Sequence, residues 1–330
     1  MKILITGGLG TIGSALTARL YNDGHEVIIY DNQEIGSISN LKLYLTANEI
    51  TKIKIVCNDI TDSTHLLNII NQVDLVFHLA ATLGTLNVVE QPTRMLTVNG
   101  MATHNIIDQC VAQSKPVVLM STSMVYGQNP KEKVDEEDSL FVGGNTKVGL
   151  WWYAISKLFD EAYANAVMLE NPNAKILLVR PFNVIAPVQT AVVGFVFPRF
   201  FQNALQGKPL QVYGDGSQRR TFTWAEDFVD CLVGLVETDY WRDTVNIGGT
   251  ESTTILSLAE KIIKKTKSES KINFVDPKDL FKNHFVEIEQ RVPDVEKLKN
   301  IIGKCPSSSL EKMMERFHQY YSGSSDKINR

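Results

Sequence analysis

The stretch TGGLGTIG, Thr6–Gly13, decides the fold of this chain. It follows the short apolar run Lys2–Ile5 and precedes Ser14–Leu20, which has the composition of a helix. A strand, a glycine-rich turn and a helix in this order form the first unit of a dinucleotide-binding α/β fold. Glycines let the backbone turn tightly and approach a diphosphate, whose negative charge the free N–H groups at the helix start can hold. The stretch therefore predicts a phosphate-binding turn.

An acidic residue stands where such a fold binds a ribose. Asp31 follows the apolar run Glu26–Tyr30, about 20 positions after the glycines. A carboxylate accepts hydrogen bonds from a ribose diol but repels a 2′-phosphate, and no Arg or Lys lies between Tyr30 and Asn40 to offset that repulsion. The pattern therefore predicts NAD, rather than its 2′-phosphorylated form, as the cofactor.

Length and composition exclude several classes of protein. The 330 residues carry a net charge of −4 and no dense run of Lys or Arg, which gives nucleic-acid or membrane binding no electrostatic support. The 4 cysteines are widely spaced and form no CxxC pair, so neither a metal site nor a disulfide framework is expected. Met1 runs straight into the first apolar run, and no apolar stretch reaches the roughly 18 residues that a membrane span needs. We expect a cytoplasmic protein.

Over the first 180 residues, short apolar runs alternate with segments of helical periodicity. This alternation predicts right-handed crossovers and a parallel sheet, and the nearly continuous apolarity of the runs predicts helices on both of its faces. Residues 1–180 are therefore predicted to form a Rossmann-type, doubly wound α/β domain. The predicted strands are Ile53–Cys57, Asp74–His78, Pro116–Ser121 and Lys175–Val179, and the helices between them include Ser63–Asn71 and Val98–Ala112.

The pattern loosens after Pro181. Helical segments near Pro198–Leu205, Trp224–Glu237 and Thr254–Lys265 surround a short strand, Leu210–Tyr213. We expect a smaller, mixed α/β lobe that binds the nucleotide sugar over residues 181–320, to which both halves of the chain can contribute, and a disordered polar tail over residues 321–330. A ligand should lie in the crevice between the two lobes, outside the carboxyl ends of the strands.

Two groups of polar residues predict chemistry at that crevice. Ser121, Thr122 and Ser123 follow a predicted strand, and Tyr153 and Lys157 share one face of the helical run that begins at Trp151. A unit charge about 4 Å away contributes about 4 kcal/mol at an effective dielectric near 20, or roughly three pKa units, so the tyrosine pKa is expected to fall from about 10 to about 7. Taken singly, the hydroxyls cap a turn and the Tyr–Lys pair is a surface pair. Together with the glycine turn and Asp31, they predict a catalytic base.

These residues resemble the extended short-chain dehydrogenase/reductase family, specifically its NAD-dependent nucleotide-sugar epimerases, dehydratases and decarboxylases. The resemblance covers nearly the whole chain and implies catalytic roles for Thr122, Tyr153 and Lys157. It implies sugar-nucleotide contacts for Thr122, Ser123, Asn183, Val212, Arg220 and Arg291, with both arginines on the diphosphate; a solvated ion pair is the other interpretation of Arg291. The cofactor contacts that it implies are Gly7, Gly10, Thr11, Ile12, Gly13, Asp31, Asn32, Asp59, Ile60, Leu79, Ala80, Ala81, Asn99, Tyr153, Lys157 and Phe182.

The resemblance also suggests a reaction. In this family a tyrosine removes the proton of a sugar hydroxyl while hydride passes to NAD, which gives a 4-keto sugar. Dehydratases of the family carry Asp-Glu after the catalytic threonine and decarboxylases carry Ser-Glu, whereas this chain has Ser123 and Met124. Because methionine cannot transfer a proton, we expect 4-epimerisation, with decarboxylation or another keto-sugar-forming reaction as the alternative. Gly149–Tyr153 and Arg180–Val184 are similar to segments of glucuronate-handling members, so the expected substrate is a UDP-hexose or a UDP-uronate.

The sequence also bears on the assembly of the protein and on the class of its function. Apolar residues on more than one side of the helices, among them Trp151, Phe159, Tyr163 and Met168, predict a homodimer, although the same face could meet the second lobe of the chain. A non-catalytic, NAD-binding regulator is the alternative class of function. A regulator would not need Thr122, Tyr153 and Lys157 together, so an enzyme is expected.

Overall fold

The computed structural model describes residues 1–83, 90–143, 145–189, 195–281 and 284–323. Its strands, numbered in chain order, are β1 (Lys2–Thr6), β2 (Glu26–Tyr30), β3 (Lys54–Val56), β4 (Leu75–His78), β5 (Val117–Met120), β6 (Ile176–Phe182), β7 (Val184–Ile185), β8 (Leu210–Tyr213), β9 (Arg219–Thr221), β10 (Thr223–Trp224), β11 (Asp243–Gly248), β12 (Ser252–Thr254), β13 (Ile272–Val275) and β14 (Gln290–Arg291).

The described helices alternate with these strands. They are α1 (Thr11–Asn22), α2 (Ile38–Leu41), α3 (Ala47–Ile50), α4 (Ser63–Ile70), α5 (Pro92–Leu96), α6 (Thr103–Ala112), α7 (Gly149–Glu170), α8 (Val196–Leu205), α9 (Ala225–Glu237), α10 (Ile255–Thr266), α11 (Pro277–Phe281), α12 (Glu296–Ile302) and α13 (Leu310–Tyr321). A π-helix, Thr97–Ala102, connects α5 to α6, and a 3₁₀ turn, Ser123–Tyr126, follows β5.

A parallel sheet of seven strands forms the centre of the fold, in the order β11-β6-β5-β4-β1-β2-β3. All of its neighbouring strands run parallel, and the strand order reverses beside β1. Such a reversal defines a doubly wound sheet and places a ligand crevice at the carboxyl ends of the strands. The predicted Rossmann-type fold is confirmed.

Successive residues of the strands face two separate cores, because side chains alternate across a sheet. In β1, Ile3 and Ile5 pack on the side of α1 and α9, whereas Leu4 packs on the side of α4, α6 and α7. Both faces are therefore covered by helices, which is why the strands are apolar at nearly every position.

The second half of the chain builds a smaller layer and also completes the sheet. Strand β11 pairs with β6 from Asp243↔Leu177 to Gly248↔Phe182, so residues beyond position 180 form one edge of the central sheet. The remaining strands make small sheets around an aromatic core that includes Phe197, Trp224 and Phe317.

The chain end and the helix lengths bear on two further predictions. Helix α13 continues to Tyr321, at the start of the predicted tail, and residues 324–330 lie outside the described residues. In the described ranges, every helix is too short or too polar to span a bilayer.

Candidate active site

A cavity of about 490 Å³ opens at the carboxyl edge of the sheet. Its walls come from the glycine turn after β1, from the ends of β2, β4 and β5, from α7, and from β8, β9 and β14 of the second lobe. Both lobes therefore line one continuous site, in the place where doubly wound folds bind their ligands.

The glycine turn makes the floor of this cavity. Gly7 adopts a φ of +71°, and its carbonyl oxygen accepts a hydrogen bond from Gly10 N at 3.1 Å. A Cβ atom on Gly13 would lie 2.1 Å from Gly7 O, so only glycine fits this close approach of turn and helix. Helix α1 begins at Thr11, and its first N–H groups have no partner within the helix. This cradle fits the diphosphate of NAD.

Asp31 lies at the end of β2 and lines the cavity. Its two carboxylate oxygens accept hydrogen bonds from Leu9 N at 3.0 Å and from Gln33 N at 2.8 Å. Each oxygen keeps a further lone pair, so the backbone fixes the carboxylate while it can still accept from a ribose hydroxyl. Asn32 and Ile60 line the same end of the cavity.

An arginine that the sequence analysis missed also reaches this end. Arg94 Nη2 donates to Asp59 Oδ2 at 2.9 Å and to Glu34 Oε2 at 2.7 Å. Burial opposes ionisation of Asp59, but hydrogen bonds from Thr61 and Arg94 outweigh it and lower the pKa of Asp59 to about 2. Arg94 follows Pro92 in a separate helix, so nothing in the spacing of the sequence links it to Asp31.

The predicted catalytic groups meet at one wall of the cavity. Thr122 follows β5, and its Oγ1 atom accepts a hydrogen bond from Met124 N at 3.2 Å. Tyr153 and Lys157 reach the cavity from the first turns of α7, and the Thr122 side chain lies close enough to the Tyr153 phenol to favour its ionised form. Ser123 lies beside them and is buried. The hydroxyl, phenol and ammonium that the sequence separates by about thirty positions are therefore neighbours.

The expected fall in the pKa of Tyr153 is wrong for this structure. Loss of water contact raises the pKa of Tyr153; Lys157 and Thr122 act against that rise, and Asp160 adds to it. Lys157 Nζ lies 3.2 Å from Asp160 Oδ2, so the ammonium shares its charge with a carboxylate that the sequence analysis did not consider.

Two arginine side chains from the second lobe line the cavity. Arg220 Nη2 pairs with Glu287 Oε1 at 3.0 Å, whereas Arg291 Nη1 contacts Met124 Sδ at 2.9 Å. Burial, reinforced by the neighbouring charge of Arg220, lowers the pKa of Arg291 to about 9. The Nε atom of Arg291 is buried without a hydrogen-bond partner among the described residues, so the interpretation as a solvated ion pair is wrong.

Asn183 and two unpredicted residues complete this part of the cavity. Asn183 holds a positive φ of 38° and donates through Nδ2 to Thr221 O at 2.7 Å. Arg199 packs its guanidinium 4.6 Å from the centroid of the Tyr213 ring, and both line the cavity. Arg199 lies in an amphipathic helix whose pattern indicates packing alone, so no signal in the sequence marks it.

Three predicted contact residues do not line this cavity within the described part of the chain. Asn99 is fully buried, and its amide clamps Thr82, accepting from N at 2.8 Å and donating to O at 3.0 Å. Phe182 points to the opposite side of its strand from Pro181 and Asn183 and packs against Tyr126. Val212 packs in the aromatic core of the second lobe. In β6 and β8, side chains alternate between the two faces of the strand, so Phe182 and Val212 face away from the cavity while adjacent residues face it.

Comparison with known proteins agrees with this site. Residues 3–248 match the family described as the NAD dependent epimerase/dehydratase family. The chain is 35% identical to a UDP-N-acetyl-alpha-D-glucosaminuronate decarboxylase of Bacillus cytotoxicus, over 97% of both chains. It is 31% identical to UDP-glucuronic acid decarboxylase 1 of Danio rerio, over 97% of this chain and 72% of that protein.

A solved structure shows the same fold with ligands bound. The UDP-glucuronic acid 4-epimerase of Bacillus cereus, in complex with UDP-glucuronic acid and NAD, superposes with a TM-score of 0.84 at 27% identity, over 98% of this chain and 100% of that chain. These findings confirm the family resemblance and the predicted cofactor. The chain belongs to the NAD-dependent epimerase/dehydratase family, as an enzyme that uses NAD and acts on a nucleotide sugar.

Proposed function

We propose that this enzyme decarboxylates a UDP-uronate through a 4-keto sugar. The observation that carries the proposal is the Arg291 guanidinium, which faces the cavity beside Met124 and Thr122 without an ion pair among the described residues. The nearby Glu287 carboxylate is paired with Arg220, so the poorly solvated Arg291 cation favours a ligand that brings a carboxylate of its own. The two most similar relatives given above are both named decarboxylases, which supports the same reaction.

In the proposed reaction, each residue of the site has a separate role. NAD, when bound, supplies the acceptor that turns the C4 alcohol of the sugar into a ketone. Tyr153 takes the proton of that alcohol, and Thr122 holds the oxygen beside the phenol. Lys157 supplies positive charge next to Tyr153, and Arg220 holds the diphosphate through charge-assisted hydrogen bonds.

Met124 is compatible with the loss of carbon dioxide. A 4-keto uronate is a β-keto acid, so the carboxylate leaves as carbon dioxide and the electrons of the broken bond pass to the ketone oxygen. The enolate that results takes a proton at C5 from water in the cavity. That oxygen lies where Thr122 and Tyr153 can donate hydrogen bonds, which stabilise the charge that develops on it. Breaking this bond requires no carboxylic acid at position 124, whereas elimination of water would require a group that moves a proton. Met124 is therefore compatible with decarboxylation and with 4-epimerisation, and it disfavours the elimination of water.

A second candidate is 4-epimerisation, the reaction expected from the sequence. It too needs no proton donor at position 124, and the Bacillus cereus structure described above is named an epimerase of a UDP-uronate. The two reactions share the first step and differ in whether the carboxylate leaves the ketone.

Product analysis separates the candidates. The purified protein is incubated with NAD and either UDP-glucuronate or UDP-N-acetylglucosaminuronate, and products are identified by mass and proton NMR. Loss of the mass of carbon dioxide supports the proposal, while an unchanged mass with altered ring couplings favours the epimerase. If neither a product nor reduced cofactor forms with any UDP-sugar, the chain is a non-catalytic NAD-binding protein.

A further inference from the structure

Asp160 is a buried carboxylate that the proposed mechanism does not use. It lies on α7, one turn after Lys157, and its Oδ2 atom is 3.2 Å from Lys157 Nζ. The two side chains are only 5% and 3% exposed, respectively. Opposite charges at this distance with little water between them interact far more strongly than a surface pair does. The Asp160 carboxylate therefore interacts directly and strongly with the Lys157 ammonium.

The second oxygen of Asp160 faces another helix. His104 on α6 places its Nε2 atom 3.3 Å from Asp160 Oδ1. The His104 ring stacks on Tyr163 at 4.1 Å between centroids and meets Phe159 edge-on at 4.8 Å. The imidazole is thus held in place by two residues of α7, and the Asp160 carboxylate is confined between α6 and α7.

We propose that Asp160 is a positioning residue that holds the Lys157 ammonium and so sets how much of its charge acts on the Tyr153 phenol. Because this inference rests on the proposed role of Tyr153, it deepens that proposal. An ammonium that neutralises one carboxylate has less effect on a phenolate beyond it. An amide at position 160 would leave the phenolate as the main anionic partner of Lys157.

Other ionisable groups surround the Asp160–Lys157 pair besides His104, which faces the carboxylate from α6. Burial, together with the charge of Lys157, lowers the pKa of His78 to about 3. The His78 side chain is therefore uncharged at neutral pH and above. The other groups are Arg291, which faces Tyr153 from β14, and the hydrogen-bonded pair of Tyr163 and Asp108 beside His104.

A spectroscopic titration tests the proposal without turnover. The ultraviolet absorbance of tyrosinate is followed against pH in the protein alone, and the Tyr153→Phe curve is subtracted to isolate one phenol. For Asp160→Asn, the curve of the double variant with Tyr153→Phe is subtracted in the same way. The midpoint of Tyr153 ionisation should fall by about one pH unit in Asp160→Asn, because a nearby negative charge has been removed. Glu170→Gln, which removes an exposed carboxylate from the end of the same helix, should leave the midpoint unchanged. A midpoint that stays or rises in Asp160→Asn overturns the proposal.

The pH profile of kcat/KM provides a second readout. Tyr153 acts as a base only when deprotonated, so activity is lost as pH falls below its pKa, and a lower pKa extends activity to more acidic pH. The acidic limb of Asp160→Asn should therefore move down by the same amount, and Asp160→Glu should return it towards the original position. Equal loss of kcat/KM at every pH would mean a merely structural role. If Asp160→Asn does not fold, Asp160→Ser, which leaves room for water, replaces it.

The two proposals fail in different ways. Full turnover by Tyr153→Phe removes the base and with it the proposed function. Normal dependence of turnover on Tyr153, combined with an unmoved midpoint in Asp160→Asn, removes only the role of Asp160.

Discussion

At the scale of single residues, the proposed chemistry depends on Tyr153, whose phenol lies beside Thr122 in the cavity wall. Tyr153→Phe keeps the ring that lines the cavity but removes the hydroxyl to which we assign the proton transfer. We expect turnover to fall by several powers of ten with NAD affinity unchanged. Steady-state kinetics and a fluorescence titration with NAD measure the two quantities. Tyr163→Phe, on the exposed part of the same helix where its hydroxyl bonds to Asp108, is the matched control and should retain turnover.

The two cavity arginines should differ in what they recognise. Arg291→Gln should raise the Kd of UDP-glucuronate by about tenfold or more, because a charge-assisted hydrogen bond contributes roughly 1.5–3 kcal/mol. The Kd of UDP-glucose, whose sugar carries no carboxylate, should change little. Arg220→Ala should weaken both ligands, since both carry the diphosphate. Isothermal titration with NAD present compares the four pairs. Equal losses for both ligands in Arg291→Gln would place this residue on the diphosphate, as the family resemblance implies.

A buried ion pair joins the elements that carry these residues. Arg180 on β6 donates from Nε and Nη2 to the two carboxylate oxygens of Glu161 at 2.9 and 2.6 Å, and Ser121 Oγ donates to the same carboxylate at 2.5 Å. Ser121 precedes Thr122, and Glu161 lies one helical turn after Lys157. The pair therefore ties the end of β5, the helix α7 and the strand β6 together behind the catalytic groups.

Breaking this pair should be costly for stability. Glu161→Gln leaves Arg180 buried without a counter-charge, and we expect the free energy of unfolding to fall by about 3 kcal/mol. Replacing both partners, as Glu161→Leu with Arg180→Met, should restore most of that loss because no charge then remains buried. Urea unfolding followed by circular dichroism measures both, with Glu170→Gln as the exposed control. A single variant as stable as the original chain would contradict the expectation.

The sequence predicts elements better than it predicts the directions of their side chains. The glycine turn and the strand of Asp31 follow from local rules, since tight turns need glycine and buried parallel strands are continuously apolar. Phe182 and Asn99 do not line the cavity, because the spacing of a motif does not show which face of an element meets the ligand. The pKa of Tyr153 was misjudged because only folding brings burial and Asp160 to the same point.

At the scale of the whole molecule, the boundary between the lobes is not a point along the chain. Strand β11, contributed from beyond residue 180, pairs with β6, and helix α9 packs beside α1 on one face of the sheet. The sequence predicts each of these segments as an element, but it carries no local signal for pairing between strands about sixty residues apart. The residues of the second lobe that line the cavity are thereby anchored to the sheet that carries the glycine turn.

The outer face of α7 bears on the predicted homodimer. Trp151 and Met168 are buried in the chain's own cores, so they do not belong to a partner face as expected. Phe159 is 58% exposed, and Met101 and Leu169 are more exposed still. These three exposed apolar residues lie on the π-helix and α7, two elements that a second copy of the chain could cover.

We therefore expect a homodimer through this face, which Phe159→Glu should disrupt. Placing a charge in a packed aromatic contact costs at least about 2 kcal/mol, or roughly thirtyfold in the dimer Kd. Light scattering coupled to size exclusion, over a range of protein concentrations, measures that shift. Phe274→Glu is the matched control, because Phe274 is also 58% exposed but lies on β13 in the other lobe. A chain that is monomeric at micromolar concentration, or equal effects of the two substitutions, would rule out this face as the interface.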